Sequence, residues 1–210
     1  MARAAFYIDG FNLYHALDKL EQPSLKWVNH WSLAESYLRP DDSLESVKFY
    51  TAVLTWERGK QARHKTYLVA LRAMGCDVVE SRFAKVNKHC RVMNRYCSRH
   101  EEKQTDVAIA TDMIADAVND LYDTAYLVTA DSDQVPTLRA LKRLFPNKRL
   151  VLISPPGGER GARELGALAD SRLEMGPNRI KANKLPEKIM VGRTAIVMPG
   201  SYREARTRII

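Results

Sequence analysis

Apolar and polar positions along the chain fall into short unbroken apolar runs of strand length, separated by segments that repeat every three to four residues. Residues 4–8 (Ala-Ala-Phe-Tyr-Ile) form the first run, after which Leu13, Ala16, Leu17 and Leu20 recur at helical spacing until Pro23 closes the unit. A short helix is predicted over 31–38, stopped before Pro40, and a strand rich in β-branched and aromatic residues over 47–55. A helix over about 60–74 ends at Gly75, and a further strand spans 76–83. Helical period returns over 105–120. The apolar run 125–128 follows, then a helix carrying Leu138, Leu141, Leu144 and Phe145, a strand over 148–153 and a helix over about 162–169.

Strands alternating with helices predict an α/β fold, a three-layer α/β/α sandwich around a mostly parallel sheet of about five strands. Residues 84–103 lose periodicity and turn basic, which reads as an insertion or mobile loop within a domain spanning 1–175. From 176 to 210 prolines and basic residues replace the pattern, and this stretch is expected to be a basic arm, partly disordered. The 210 residues suffice for one sizeable core.

Composition narrows the class. No apolar run approaches a membrane span and the start lacks a signal-peptide pattern, so a cytoplasmic protein with no membrane partner is expected. Cys76, Cys90 and Cys97 are an odd number, pointing to reduced thiols or a metal site rather than a disulfide framework. A formal charge of +8 favours a polyanionic partner, most simply nucleic acid.

The chemistry lies where the apolar runs stop. The first run ends at Asp9-Gly10-Phe11-Asn12, and the run at 125–128 leads through Thr129 and Ala130 into Asp131-Ser132-Asp133. In an open parallel sheet, ligands bind outside the carboxyl ends of the strands, where these acids fall. The plain alternative is that Asp133 only caps the following helix. Gly10 is expected to relieve steric limits at its turn, and Asn12 to cap the helix or face whatever Asp9 binds. On the helix from Thr105, Asp106 falls in the same arc as Ile109, Ala110, Met113, Ile114, Ala117 and Leu121, an unfavourable place for an idle carboxylate. Asp116 and Asp120 fall at the rim of that arc and Asp112 toward solvent, as surface charges. Asp9, Asp106, Asp131 and Asp133 are therefore expected to converge. Clustered carboxylates stay ionised only beside cations, and oxygen-only ligands suit Mg²⁺ or Mn²⁺. Such ions serve phosphodiester hydrolysis. Asp9 as a phosphoryl-accepting nucleophile is the alternative chemistry, although Phe11 stands where those enzymes carry a second acid.

Three segments resemble the NYN domain of the PIN-like nuclease superfamily, in its LabA-like bacterial branch. Ile8-Asp9-Gly10-Phe11-Asn12 is similar to the opening D-G-x-N signature, Glu102-Lys103-Gln104-Thr105-Asp106-Val107 to E-K-x-x-D-V, and Thr129-Ala130-Asp131-Ser132-Asp133 with Pro136 to S-G-D-S-D-F-x-P. The resemblance spans about residues 3–170. It implies a PIN-like fold and Mg²⁺- or Mn²⁺-dependent ribonuclease activity, with Asp9, Asp106, Asp131 and Asp133 as the acidic site and Asn12 in support. Thr129-Ala130 in place of Ser-Gly and Gln134 in place of an aromatic residue bear on substrate fit. A non-cleaving RNA-binding or regulatory module of the same fold is the second reading.

The branch often carries a small zinc knuckle before the E-K-x-x-D segment, for which the candidates here are His89, Cys90, Cys97 and His100, at non-standard spacing for zinc. Lys85, Lys88, Arg91, Arg95, Arg99 and Lys103, interleaved with Tyr96, form a candidate RNA-binding block, joined by Arg139, Arg160 and Arg163. The expected partner is RNA, chiefly single-stranded, with a homodimer left open.

Overall fold

The computed structural model describes residues 1–90, 94–158 and 162–203, with 88, 90 and 99 described for the backbone alone. Strand β1 (Arg3–Asp9) leads into helix α1 (Gly10–Asp18), α2 (His30–Glu35) and β2 (Ser43–Ala52), then α3 (Arg58–Ala73), β3 (Asp77–Cys90) and β4 (Arg95–Lys103). Helix α4 (Thr105–Val118), β5 (Thr124–Val128), α5 (Val135–Leu144), β6 (Arg149–Ser154), α6 (Arg163–Leu168) and β7 (Ser171–Glu174) follow. Among the described residues the main sheet has seven strands in the order β4-β3-β2-β1-β5-β6-β7, parallel throughout except for the antiparallel β3–β4 edge.

The alternation of β1 builds both faces. Ala4, Phe6 and Ile8 join Leu13, Leu17, Val47, Phe49, Leu68 and Leu71 in one apolar cluster, with α1, α2 and α3. Ala5 and Tyr7 point the other way, into a second cluster with Ile109 and Met113 of α4, Leu138 and Leu141 of α5 and Leu165 of α6. Helices on both sides of a sheet buried on both faces make the α/β/α sandwich. From β1 the chain winds outward through β2 and β3, then returns across the sheet to place β5 on the other side of β1. The strand order therefore reverses at β1, and ligand crevices form at such a reversal.

The sheet is wider than the expected five strands, for two reasons. The segment 84–103 is an ordered part of a long β-hairpin: the first part of β3 pairs with β2, while Arg82–Cys90 pairs with β4 from Arg82↔Lys103 to Cys90↔Arg95. Its outer part lies beyond the helical layers with mostly exposed or half-exposed side chains, so no apolar period marks it. The short strand β7 adds the opposite edge.

The expected C-terminal arm is also folded through residue 203. Helix α7 (Pro177–Ala182) and the hairpin of β8 (Lys188–Val191) and β9 (Thr194–Val197) place Ile180, Leu185, Ile189, Ile196 and Met198 in the first cluster. Trp27, fully buried, donates its indole N–H to the carbonyl of Pro186 at 3.0 Å and accepts at its own carbonyl from the amide of Leu185 at 2.9 Å. The apolar residues there are divided among a six-residue helix and two four-residue strands, too short for any period to emerge. No helix among the described residues is long and apolar enough to cross a membrane.

Candidate metal centre

Asp9 is the last residue of β1 and caps α1: its Oδ1 accepts the amide N–H of Asn12 at 2.9 Å. Its Oδ2 accepts the hydroxyl of Thr129 at 2.9 Å, across the β1–β5 reversal. The same Thr129 oxygen accepts the amide of Asp131 at 3.1 Å, and the Asn12 side-chain oxygen accepts the amide of Ala130 at 3.0 Å. Asn12 thus fastens the loop after β5 to the start of α1. Gly10 is tight for a reason other than backbone freedom. A Cβ there would lie 2.5 Å from both the Tyr50 carbonyl oxygen and the Phe49 ring, so α1 can start this close to β2 only without a side chain. Gly10→Ala is expected to cost about 1–3 kcal/mol through overpacking. Chemical denaturation of both proteins checks this, and an unchanged midpoint would mean that the strand yields freely.

After β5, Asp131 rather than Asp133 acts as the cap, its Oδ1 accepting the amide of Asp133 at 3.0 Å at the head of a 3-10 turn, Ser132–Gln134. Asp106 stands in the first turn of α4. Gln134, fully buried, donates its amide to the Asp106 carbonyl oxygen at 3.1 Å and Oδ1 at 3.3 Å, while its own oxygen accepts the Thr137 hydroxyl at 3.0 Å. A glutamine in place of an aromatic ring therefore ties α4 to the acidic turn. Asp106, Asp131 and Asp133 bring carboxylate oxygens within 4.8 Å of one another. Asp9 is not one of these three, but lies close enough for the charges of Asp106 and Asp131 to act on it.

The electrostatics match an anionic pocket. Burial pushes the Asp9 carboxyl up to about 6, against the hydrogen bonds from Asn12 and Thr129 and with added repulsion from Asp106 and Asp131. Asp106 is raised by burial and by Asp131 and Asp133, with Gln134 opposing. A fifth acid takes part. Glu102, at the end of β4, accepts a hydrogen bond from the Thr105 hydroxyl, and burial, with Asp9 and Asp106 nearby, pushes it up to about 7. Its place in the E-K-x-x-D-V segment was the available signal. The backbone between them turns sharply, with Gln104 at φ 80°, and so brings Glu102 and Asp106 to the same pocket.

A model of the NYN domain matches residues 3–171. The chain belongs to the NYN domain family. NYN proteins are PIN-like nucleases that generally use divalent metals, and an all-oxygen set such as Asp106, Asp131 and Asp133 fits a hard cation of that kind. The NYN match ends at residue 171, and the folded C-terminal segment from α7 onward lies beyond it. The chain is 23% identical to a 6-hydroxy-3-succinoylpyridine 3-monooxygenase of Pseudomonas putida, over 95% of this chain and 75% of that protein. In structure it is similar to a protein of unknown function from Vibrio parahaemolyticus, with a TM-score of 0.59 at 17% identity, covering 84% of this chain and 94% of the other. That likeness concerns the fold.

Other expected site residues of this NYN domain are more scattered. On β4, Cys97 and His100 are three residues apart and so face opposite sides of the strand, while His89 pairs with Tyr96 and shares the His100 side. The ring of His100 stacks on Trp56, 3.6 Å between centroids, and that of His89 meets Tyr96 edge to face. The hairpin therefore separates the Cys97 thiol from both imidazoles, and these three do not form a zinc site; the Cys90 side chain lies outside the described residues. Lys85, Arg95 and Tyr96 are exposed on the hairpin, Tyr96 at 74%. Lys103 pairs with Glu101, and Arg139 with Glu164, while Arg163 is exposed at the start of α6. Arg91 and Arg160, and the side chains of Lys88 and Arg99, lie outside the described residues.

Asp112 and Asp116 correct the surface reading of α4. Asp116 is buried: its Oδ2 accepts the Tyr7 hydroxyl at 2.7 Å and lies 2.7 Å from Lys48 Nζ. Asp112 accepts the Tyr50 hydroxyl at 2.8 Å. Only Asp120 stays at the surface, paired with Arg3 and Lys148.

Proposed function

We propose that the protein is a divalent-metal-dependent ribonuclease of the LabA-like branch, hydrolysing single-stranded RNA at the acidic turn. The observation that carries the reading is the convergence of Asp106, Asp131 and Asp133 at the strand reversal of an NYN fold, with Asp9 and Glu102 close by. Asp106, Asp131 and Asp133 would hold Mg²⁺ or Mn²⁺, with Asp9 completing the anionic field. When bound, such an ion supplies a Lewis acid for a phosphoryl oxygen and activates water at neutral pH. The protein's own contribution is preorganisation. Gln134 fixes the Asp106 carboxylate, Thr129 orients Asp9 and the Asp131 amide together, and Asn12 locks the intervening loop. The hairpin cations Lys85 and Arg95, with Arg163, would hold phosphates, and the open Tyr96 ring would stack a base.

Cleavage of a labelled single-stranded RNA is expected with Mg²⁺ or Mn²⁺ and not after EDTA, and Asp131→Asn is expected to be inactive in both. Binding without turnover under every metal would replace the enzyme by the non-cleaving RNA-binding module. Equal cleavage with metal and with EDTA would end the metal mechanism.

A second reading, oxygenation of a heteroaromatic acid, is favoured by one observation. The monooxygenase relative aligns over 95% of this chain, beyond the end of the NYN match. Oxygen uptake with 6-hydroxy-3-succinoylpyridine and a reduced nicotinamide tests it directly. Its low identity and the metal-type acid cluster place it second.

A further inference from the structure

On the opposite face of β1 from α4, the structure holds a cavity of about 470 Å³ at the carboxyl ends of β1 and β2, beside Phe83 in the middle of β3. Its size is that of a small-molecule site. Gly10 and Phe11, which line it, directly follow Asp9, so the cavity adjoins the acids. Its floor is formed by Phe49, Leu13 and Tyr67. Part of its wall, Ser201 and Tyr202, comes from the C-terminal segment beyond the family match.

Two features describe what would fit, and a third describes the wall. Trp56 stacks flat on His100 and meets Phe83 edge to face at 5.1 Å, while Phe11 meets Phe83 at 6.2 Å. Phe11, Tyr14 and Trp56 remain well exposed although they border a cavity. A cluster serving only the core would be covered; these rings offer faces and edges to a planar guest.

The second feature is charge. Lys26, Lys60 and Arg63 line the cavity with Glu57 as the single carboxylate. Lys26 is held by Asp18 and Lys60 by Glu57, whereas Arg63, half-buried, pairs with no carboxylate among the described residues. A guanidinium left free beside rings suits an anionic group, phosphate above all.

The third is a buried acceptor. Tyr67 donates its hydroxyl to the Val28 carbonyl at 3.0 Å, so His30 must donate from Nε2 to the Tyr67 oxygen at 2.9 Å. The neutral Nδ1 of His30 is then an acceptor, and it has no partner although the ring is buried in the cavity wall. Nδ1 has no surface open to the cavity, so it is an unsatisfied acceptor within the wall and not a contact for the guest.

We infer that this cavity is a nucleotide pocket, in which a base stacks among Phe11, Trp56 and Phe83 and its phosphate meets Arg63. The assignment rests on the reading of the adjoining acids as a nuclease centre, and makes the pocket the seat of a nucleotide next to the one cleaved. The same chemistry is offered by a free mononucleotide and by a nucleotide within a strand.

Titration calorimetry with AMP, GMP, CMP and UMP, and with ribose 5-phosphate lacking a base, tests the pocket apart from turnover. A short oligoribonucleotide distinguishes a strand from a free nucleotide. The wild type is expected to bind at least one mononucleotide or the oligonucleotide saturably, and ribose 5-phosphate roughly tenfold or more weakly. Arg63→Ala and Trp56→Ala are each expected to weaken binding by about tenfold, with Arg63→Lys recovering part of it and thermal midpoints confirming that the variants fold. Asp131→Asn is expected to retain binding. Binding with no cleavage by the wild type would remove the nuclease reading and keep the pocket. Metal-dependent cleavage with the same KM in wild type, Arg63→Ala and Trp56→Ala would remove the pocket and keep the nuclease. No saturable nucleotide binding, or preferential binding of a pyridine carboxylate, would overturn the assignment.

Discussion

Asp9→Asn is expected to lower metal-dependent RNA cleavage by roughly 10²-fold or more, the scale at which removal of a group stabilising developing charge is felt, while the protein remains folded. Asparagine is as good a helix cap as aspartate, so the Asn12 amide keeps its acceptor, and Thr129 can accept from the new amide. The two properties should separate further with pH. The folded Asp9 carboxyl is raised from its ordinary 3.8 to about 6, so the stability of the metal-free protein is full below about pH 4 and falls as pH rises through 6. For a carboxyl this buried the loss is roughly 3 kcal/mol by pH 8. Glu102, raised to about 7, continues the same trend. Thermal denaturation with EDTA should therefore show the wild type losing stability between pH 4 and 8, and Asp9→Asn losing less, most clearly between pH 4 and 6, with the Glu102 share remaining. Mg²⁺ or Mn²⁺ should restore the wild type at pH 8 and act weakly at pH 5, where protons compete for the same oxygens. A wild type whose metal-free stability is flat over that range would contradict the electrostatics assigned to Asp9. A variant that cleaves normally would remove it from the chemistry.

The ends of β1 and β5 could be read in advance because burial on both faces leaves an uninterrupted apolar run, and a carboxylate that ends such a run stands out. Asp106 was visible for a related reason, as an acid on a helix whose neighbours are apolar. Glu102 escaped because its burial depends on the left-handed turn at Gln104, which no spacing signals. The hairpin of β3 and β4 escaped because a ribbon with both faces near solvent has no apolar period. Its pairing also separates Cys97 from His89 and His100: register, unlike composition, says which side each of these side chains faces. The segment after residue 175 reads as an arm because prolines and charges dominate its sequence. Its apolar residues are few, but each finds a place beside Trp27 or the first core cluster.

Asp116 shows the limit of reading one helix alone. The helical wheel puts it at the rim, and only the neighbouring strands decide that the rim is covered: Tyr7 of β1 and Lys48 of β2 reach it from 109 and 68 residues away. Burial and the hydrogen bond to Asp116 raise the Tyr7 hydroxyl well above its ordinary range, so tyrosine serves as a fixed donor. Lys48 supplies the positive charge opposite the Asp116 carboxylate, 2.7 Å away. Lys48→Met should therefore be the most destabilising single change outside the apolar core. It preserves most of the side-chain volume yet leaves a carboxylate that is 6% exposed with no other cation paired to it among the described residues, at a cost of roughly 3–5 kcal/mol. Asp112, 3.9 Å from the same ammonium group and held by Tyr50, adds to the uncompensated charge. The double variant Lys48→Met/Asp116→Asn removes both charges and keeps an acceptor for Tyr7, so it should recover most of the loss. Urea denaturation of the two single variants and the double one closes the cycle. If Lys48→Met alone lies within about 0.5 kcal/mol of wild type, the range of ordinary surface substitutions, Asp116 does not depend on this lysine. In that case the buried pair does not hold α4 against β1 and β2, and another contact must fix the start of α4 where Asp106 meets the acidic turn.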